Sequence, residues 1–144
     1  MTIKPLTLKE AEFVAHTLAV ELMDSANEPM PPFGTRSPGK LESSLAEPFQ
    51  TFGGKYLHRT FIERAAVLFY LVTKNHCFEN GNKRMAITLT LVFFYINKRW
   101  LNIPPKDLYG IACAVAESTP SERDSMHRYL VQVFSGHRVS LAKD

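Results

Sequence analysis

Apolar residues recur at helical spacing along most of the chain, and polar or proline-rich stretches cut the pattern into segments. Thr7 and Glu10 form a capping box, followed by Ala11, Val14, Ala15, Leu18 and Leu22 on one face. That predicts an amphipathic helix ending near Asp24. Pro29, Pro31, Pro32 and Gly34 then break the period, so residues 25–37 read as a long irregular connection with at most a small β-hairpin between Glu28 and Ser37. Ser37-Pro38 offers an N-cap with proline at the first helical position, for a short helix through Leu41 and Leu45 that stops before Pro48. Gly53-Gly54 mark a loop. Thr60 and Glu63 make a second capping box, opening a helix with Phe61, Ala65, Leu68, Phe69 and Val72 on one face and an end near Asn75. From Met85 to Trp100 the chain is apolar nearly all round, which suits a helix surrounded by others. Pro104-Pro105 precede a helix over 107–117. Thr119-Pro120-Ser121-Glu122 starts a last helix with Met126, Tyr129, Leu130 and Val133 inward, and the polar tail from Ser135 to Asp144 reads as mobile. The pattern predicts an all-α domain over 1–144, about six helices around a central Met85–Trp100 strut.

Composition narrows the picture. A chain of 144 residues suits one domain with a real core, and 45% hydrophobic with 22% charged residues is ordinary for a globule. A net charge of +3 without a Lys/Arg-rich run gives no argument for a nucleic-acid partner. Cys77 and Cys113 form neither a disulfide framework nor a metal-ligand spacing, as expected in a reducing compartment. The N-terminus has no apolar core of a signal peptide, and the longest apolar run, from about Met85 to Ile96, is too short to span a bilayer. The expectation is a cytoplasmic protein with no membrane partner.

The candidate chemistry lies between the two most apolar segments, in His76-Cys77-Phe78-Glu79-Asn80-Gly81-Asn82-Lys83-Arg84. This polar loop leaves one core helix and enters the N-terminus of the next, where outward N–H groups and the helix dipole favour an anion. Imidazole is the side chain best suited to act as a general base at physiological pH, so His76 suits that role; the plainer reading is a histidine closing the preceding helix. Gly81 lets the backbone turn tightly against a phosphate. Asn82 reads as the N-cap of the next helix and as an amide donor to phosphate. Lys83 and Arg84 carry the wrong charge for a helix N-terminus unless an anion visits, and Arg84 can grip a phosphate with two bonds. Phe78 reads as a core anchor. Cys77 is expected to pack inward, because adjacency to His76 does not make the two side chains converge. His16, His58, His127 and His137 show no metal spacing and read as surface or capping residues.

At these residues the chain resembles the Fic/Doc (Fido) family, whose signature loop it matches at His76, Phe78, Gly81, Asn82 and Arg84. Lys83 resembles the Doc-like (death-on-curing) branch; the Fic branch has glycine there and a second arginine where this chain has Ile87. Phe33-Gly34-Thr35-Arg36, Gly39-Lys40-Leu41-Glu42-Ser43-Ser44-Leu45 and Phe52-Gly53-Gly54 extend the likeness, which runs roughly from Leu6 to Phe134. The resemblance implies a Fido-type helical domain with a flap carrying Phe33 and Arg36, which aligns the target backbone. It implies His76 as base, Gly81, Asn82, Lys83 and Arg84 as a phosphate cradle, and a nucleoside triphosphate such as ATP as substrate. Doc toxins phosphorylate elongation factor Tu, so the expected reaction is phosphoryl transfer to a hydroxyl of a translation-factor-class protein, with a separate antitoxin as partner. Two alternatives stand beside it: AMP transfer as in the Fic branch, or nucleotide binding without catalysis. The second arises because Asn80 occupies the family's acidic, metal-binding position, which weakens a magnesium site unless Glu79 substitutes. Thr17-Leu18-Ala19-Val20-Glu21 resembles the first part of the family's inhibitory glutamate motif, but Leu22 departs from it.

Overall fold

The computed structural model describes residues 2–15, 17, 38–78 and 81–141, and in it helices carry the fold. Thr7 caps α1 (Leu8–Glu10) as expected: its Oγ1 accepts the Glu10 N–H, and Glu10 Oε1 accepts the Thr7 N–H, both at 3.1 Å. The chain runs on as a π-helical turn over Ala11–Ala15. The predicted end of this helix near Asp24 and the hairpin placed within 28–37 lie outside the described residues.

Helix α2 (Pro38–Ala46) passes into a 3-10 turn at Glu47–Phe49, where Pro48 ends it. Two short strands follow, β1 (Thr51–Phe52) and β2 (Lys55–Tyr56), paired antiparallel. Gly53 and Gly54 supply the two positive φ angles, 61° and 79°, that a tight two-residue hairpin turn needs. Sequence patterning gives only a loop here, because strands of two residues show no alternation. Arg64 fastens the hairpin to the core. It is 5% exposed, its guanidinium lies 4.1 Å from the Tyr56 ring and 5.0 Å from the Phe49 ring, and its Nε donates to His58 O at 2.8 Å.

Helix α3 (Phe61–Lys74) opens on the Thr60–Glu63 box and ends at Asn75, whose N–H donates to Leu71 O. Helix α4 (Asn82–Ile96) is buried at every residue from Arg84 to Phe94, as its apolar sequence predicts. Phe61, at the start of α3, stacks on Phe93 at 4.8 Å and meets Phe94 edge-on at 4.9 Å, near the end of α4. The two helices therefore run antiparallel. α3 is almost as enclosed as α4, with Glu63 its one half-exposed residue between Phe61 and Thr73, so the central helix is partnered by a second enclosed one.

The strut starts and stops earlier than predicted. α4 stops at Ile96 and Trp100 lies in β3 (Arg99–Leu101). Asn97 explains the stop: it is 5% exposed, its Oδ1 accepts the Lys4 N–H at 2.7 Å, and its Nδ2 donates to Lys4 O and Phe93 O. One side chain thus closes the helix and pins the N-terminal segment to it. Asn97→Ala is expected to cost about 1–3 kcal/mol through these lost bonds, read as a lower urea midpoint; an unchanged midpoint would show that the clasp carries no stability.

Helix α5 (Pro105–Glu117) packs through Leu108, Ala112 and Val115. A 3-10 turn (Pro120–Glu122) on the Thr119–Glu122 box leads into α6 (Arg123–His137). The Lys74 ammonium donates to Ser118 O, tying the end of α3 to the end of α5. On α6 the buried residues are Leu130 and Phe134, and Phe134 meets the Phe69 and Phe94 rings edge-on. Tyr129, predicted inward, is exposed, one position round the helix from Leu130. The mobile tail is corrected in part. Residues 135–137 continue α6, and β4 (Arg138–Ser140) pairs antiparallel with β3, Trp100 opposite Val139. Its side chains are exposed, so no burial pattern announced it.

Candidate active site at the junction of two core helices

The candidate loop is short because both its ends are core helices. Asn75 closes α3, and His76 follows with φ +51°, the left-handed region that glycine usually fills just past a helix end. For a residue with a Cβ this costs about 1–2 kcal/mol. The His76 side chain is exposed, so the imidazole faces solvent and not a buried partner. The two residues after it turn inward: Cys77 is 3% and Phe78 2% exposed. Phe78 is the anchor its sequence position suggested.

Asn82 departs from its expected role. Gly81, at φ +76°, is the N-cap of α4, with no side-chain capping bond, and Asn82 is the first helical residue. Its amide turns back on the loop. Oδ1 accepts the Phe78 N–H and Nδ2 donates to Phe78 O, both at 2.9 Å. The side chain thus clasps both backbone groups of Phe78 and fixes the loop's width. A residue at this position with both a donor and an acceptor is what such a clasp requires.

Gly81 is buried, with its carbonyl receiving the first α4 bond from Met85 N–H at 2.9 Å. The first turn of α4 contains no acidic residue and two cations, half-buried Lys83 and Arg84 at 3% exposure. Burial strengthens the field of Arg84 at the helix N-terminus relative to a surface charge. The turn joins a positive helix end to two positive side chains, an arrangement that favours a phosphate-like anion.

Cys77 packs inward, as expected. Burial, the largest influence on its thiol, pushes it upward, so the protonated form prevails at neutral pH. Of the other histidines, His137 caps its own helix, Nδ1 donating to Val133 O at 2.9 Å. His127 is more enclosed than a surface reading allows. It packs edge-on against Tyr70 at 4.7 Å, and burial, then the charges of Arg123 and His58, hold it below the usual histidine range. His16, the expected flap residues Phe33 and Arg36, and Glu79 and Asn80 lie outside the described residues.

Among the described residues, no group of three or more His, Cys, Asp or Glu side chains is placed to hold a metal ion. The described part of the loop offers imidazole, amide and cationic groups. That donor set fits a phosphate. No helix among the described residues is long and apolar enough to cross a membrane.

Fold and site together define an all-α domain with a loop between two enclosed helices that leads into a first helical turn bearing two cations. The sequence matches the Fic/DOC family model over residues 7–94, more than half of the chain, and the chain belongs to that family. No curated protein and no solved structure matches it. The matched span takes in α1 to α4 and the whole loop, and ends at the last buried residue of α4.

Proposed function

We propose that the protein is a Doc-like transferase that moves a phosphoryl group from a nucleoside triphosphate such as ATP to a hydroxyl of a protein target. The observation that carries the reading is the first turn of α4, with two cations, no carboxylate and a left-handed buried glycine at its cap. Lys83 and Arg84 neutralise the charge that builds on the transferring phosphoryl group, and the α4 N-terminus orients it. His76 takes the proton of the attacking hydroxyl. The new bond joins the target oxygen to the γ-phosphorus, the bond from that phosphorus to the β–γ bridging oxygen breaks, and the nucleoside diphosphate departs. Lys83, in place of the Fic-branch glycine, favours phosphoryl over AMP transfer. The proposed target is an elongation factor Tu-like translation factor in the cytoplasm, and the proposed regulator a separate antitoxin.

Intact mass of elongation factor Tu after incubation with the protein, ATP and magnesium tests this. A gain of one phosphate, lost with His76→Ala, is expected. A gain of one AMP would keep the enzyme class and overturn the reading of Lys83. A second reading, nucleotide binding without transfer, is favoured by Asn80 alone; it predicts no mass change, and transfer gained with Asn80→Asp.

A further inference from the structure

Both neighbours of His76 are held by the same hydroxyl group. Ser44, on α2, is 1% exposed, and its Oγ accepts a hydrogen bond from Asn75 Nδ2 at 2.9 Å. Its own O–H donates to Lys40 O at 2.8 Å, one turn back on α2. That leaves the remaining lone pair of Oγ for the Cys77 thiol, whose sulfur lies 3.9 Å away. The donor assignments agree with one another. The serine proton is spent on Lys40 O, so Asn75 must present its amide nitrogen, and Cys77 must keep its proton to donate. The burial that raises the thiol keeps it protonated.

His76 sits between these two tethered residues, in a backbone conformation that a residue with a Cβ adopts only when its surroundings impose it. On one side Asn75 is also fixed by its N–H to Leu71 O at 2.8 Å. On the other, Phe78 is clasped by Asn82. The exposed imidazole has no packing to orient it, so its position depends on its backbone.

We infer that Ser44 is a positioning residue for His76: one buried hydroxyl on α2 grips the residues on both sides of the histidine and imposes the left-handed backbone that aims its ring. This rests on His76 being the base of the transfer proposed above. Ser44 touches neither substrate nor the reacting atoms. It couples α2, outside the signature loop, to the geometry of the reaction.

The test is Ser44→Ala in the full chain, read in two ways. Amide relaxation measured by NMR reports His76 directly: a rigid backbone in the native protein is expected to become mobile, with the order parameter falling from about 0.85 toward 0.6. Transfer is expected to lose about 10- to 100-fold in kcat with KM for ATP unchanged within about twofold, because the α4 cradle is untouched. A merely structural serine would not separate kcat from KM in this way. If Ser44→Ala does not fold, Asn75→Ala removes one of the two tethers at a half-buried position and carries the same readouts. A folded variant in which His76 stays as rigid as in the native protein overturns the proposal, as does a kcat within twofold of native. If the native protein transfers nothing, the proposed function fails, and the relaxation measurement alone still decides whether Ser44 fixes His76.

Discussion

His76→Gly is expected to abolish transfer and at the same time to make the protein more stable. In the proposed transfer the imidazole supplies the proton acceptor for the attacking hydroxyl, and loss of a general base costs about 100- to 10,000-fold in rate. The backbone at His76 has φ +51°, which glycine adopts without the Cβ clash. Relief of that strain, less the added entropy of glycine in the unfolded chain, leaves a gain of about 0.5–1 kcal/mol. His76→Ala keeps the strain and loses the base, so it should match glycine in activity and fall short of it in stability. Urea midpoints of the three proteins, with transfer measured on the same samples, separate the effects. A glycine variant less stable than the alanine variant would show that the left-handed backbone is not strained. Transfer surviving in either variant would place the base elsewhere. Strain kept at one residue and relieved only by losing activity is the pattern of a position held for function.

What was legible in the sequence was set by local chemistry, and what was missed was set by contacts distant along the chain. The three capping boxes at Thr7, Thr60 and Thr119 all formed, because each is settled within four residues. The buried run from Arg84 to Phe94 followed from its composition. Asn97 could not be foreseen as a helix stop, because its partner is the backbone of Lys4, 93 residues away. The β3–β4 pair was equally hidden, since its strands are three residues long and β4 is wholly exposed. At the loop, the sequence displays the residue types and their charges, but not how the loop is held. Asn82 has the chemistry of an N-cap, and only the fold shows that Gly81 takes that place while the Asn82 amide turns back to Phe78. Ser44 lay within a segment noted for its resemblance, with nothing in the sequence to link it to Asn75, 31 residues on.

Asn82→Ala should unfasten the loop, and Asn82→Asp should keep it half fastened while repelling its ligand. In the native protein the amide satisfies both backbone groups of Phe78, a residue 2% exposed. Alanine removes both of these bonds at a buried residue, at an expected cost of about 2 kcal/mol in urea unfolding. Transfer should fall by about 100-fold, since the distance between His76 and the α4 cradle is no longer fixed. Aspartate keeps the acceptor for the Phe78 N–H and loses only the bond to Phe78 O, and a carboxylate in the first turn of a helix is itself favourable. Its stability should therefore lie between native and alanine. Its effect on the ligand has the opposite sign: a negative charge beside Lys83 and Arg84 cancels part of the field that receives a phosphate. ATP affinity measured by calorimetry is expected to fall about tenfold or more with aspartate, and less with alanine despite alanine's larger loss of stability. That crossing of the two orders, stability against affinity, is specific to an anion site at the N-terminus of α4. If the aspartate variant binds ATP as tightly as the native protein, the phosphate does not sit there, and the cations of the first turn serve some other partner.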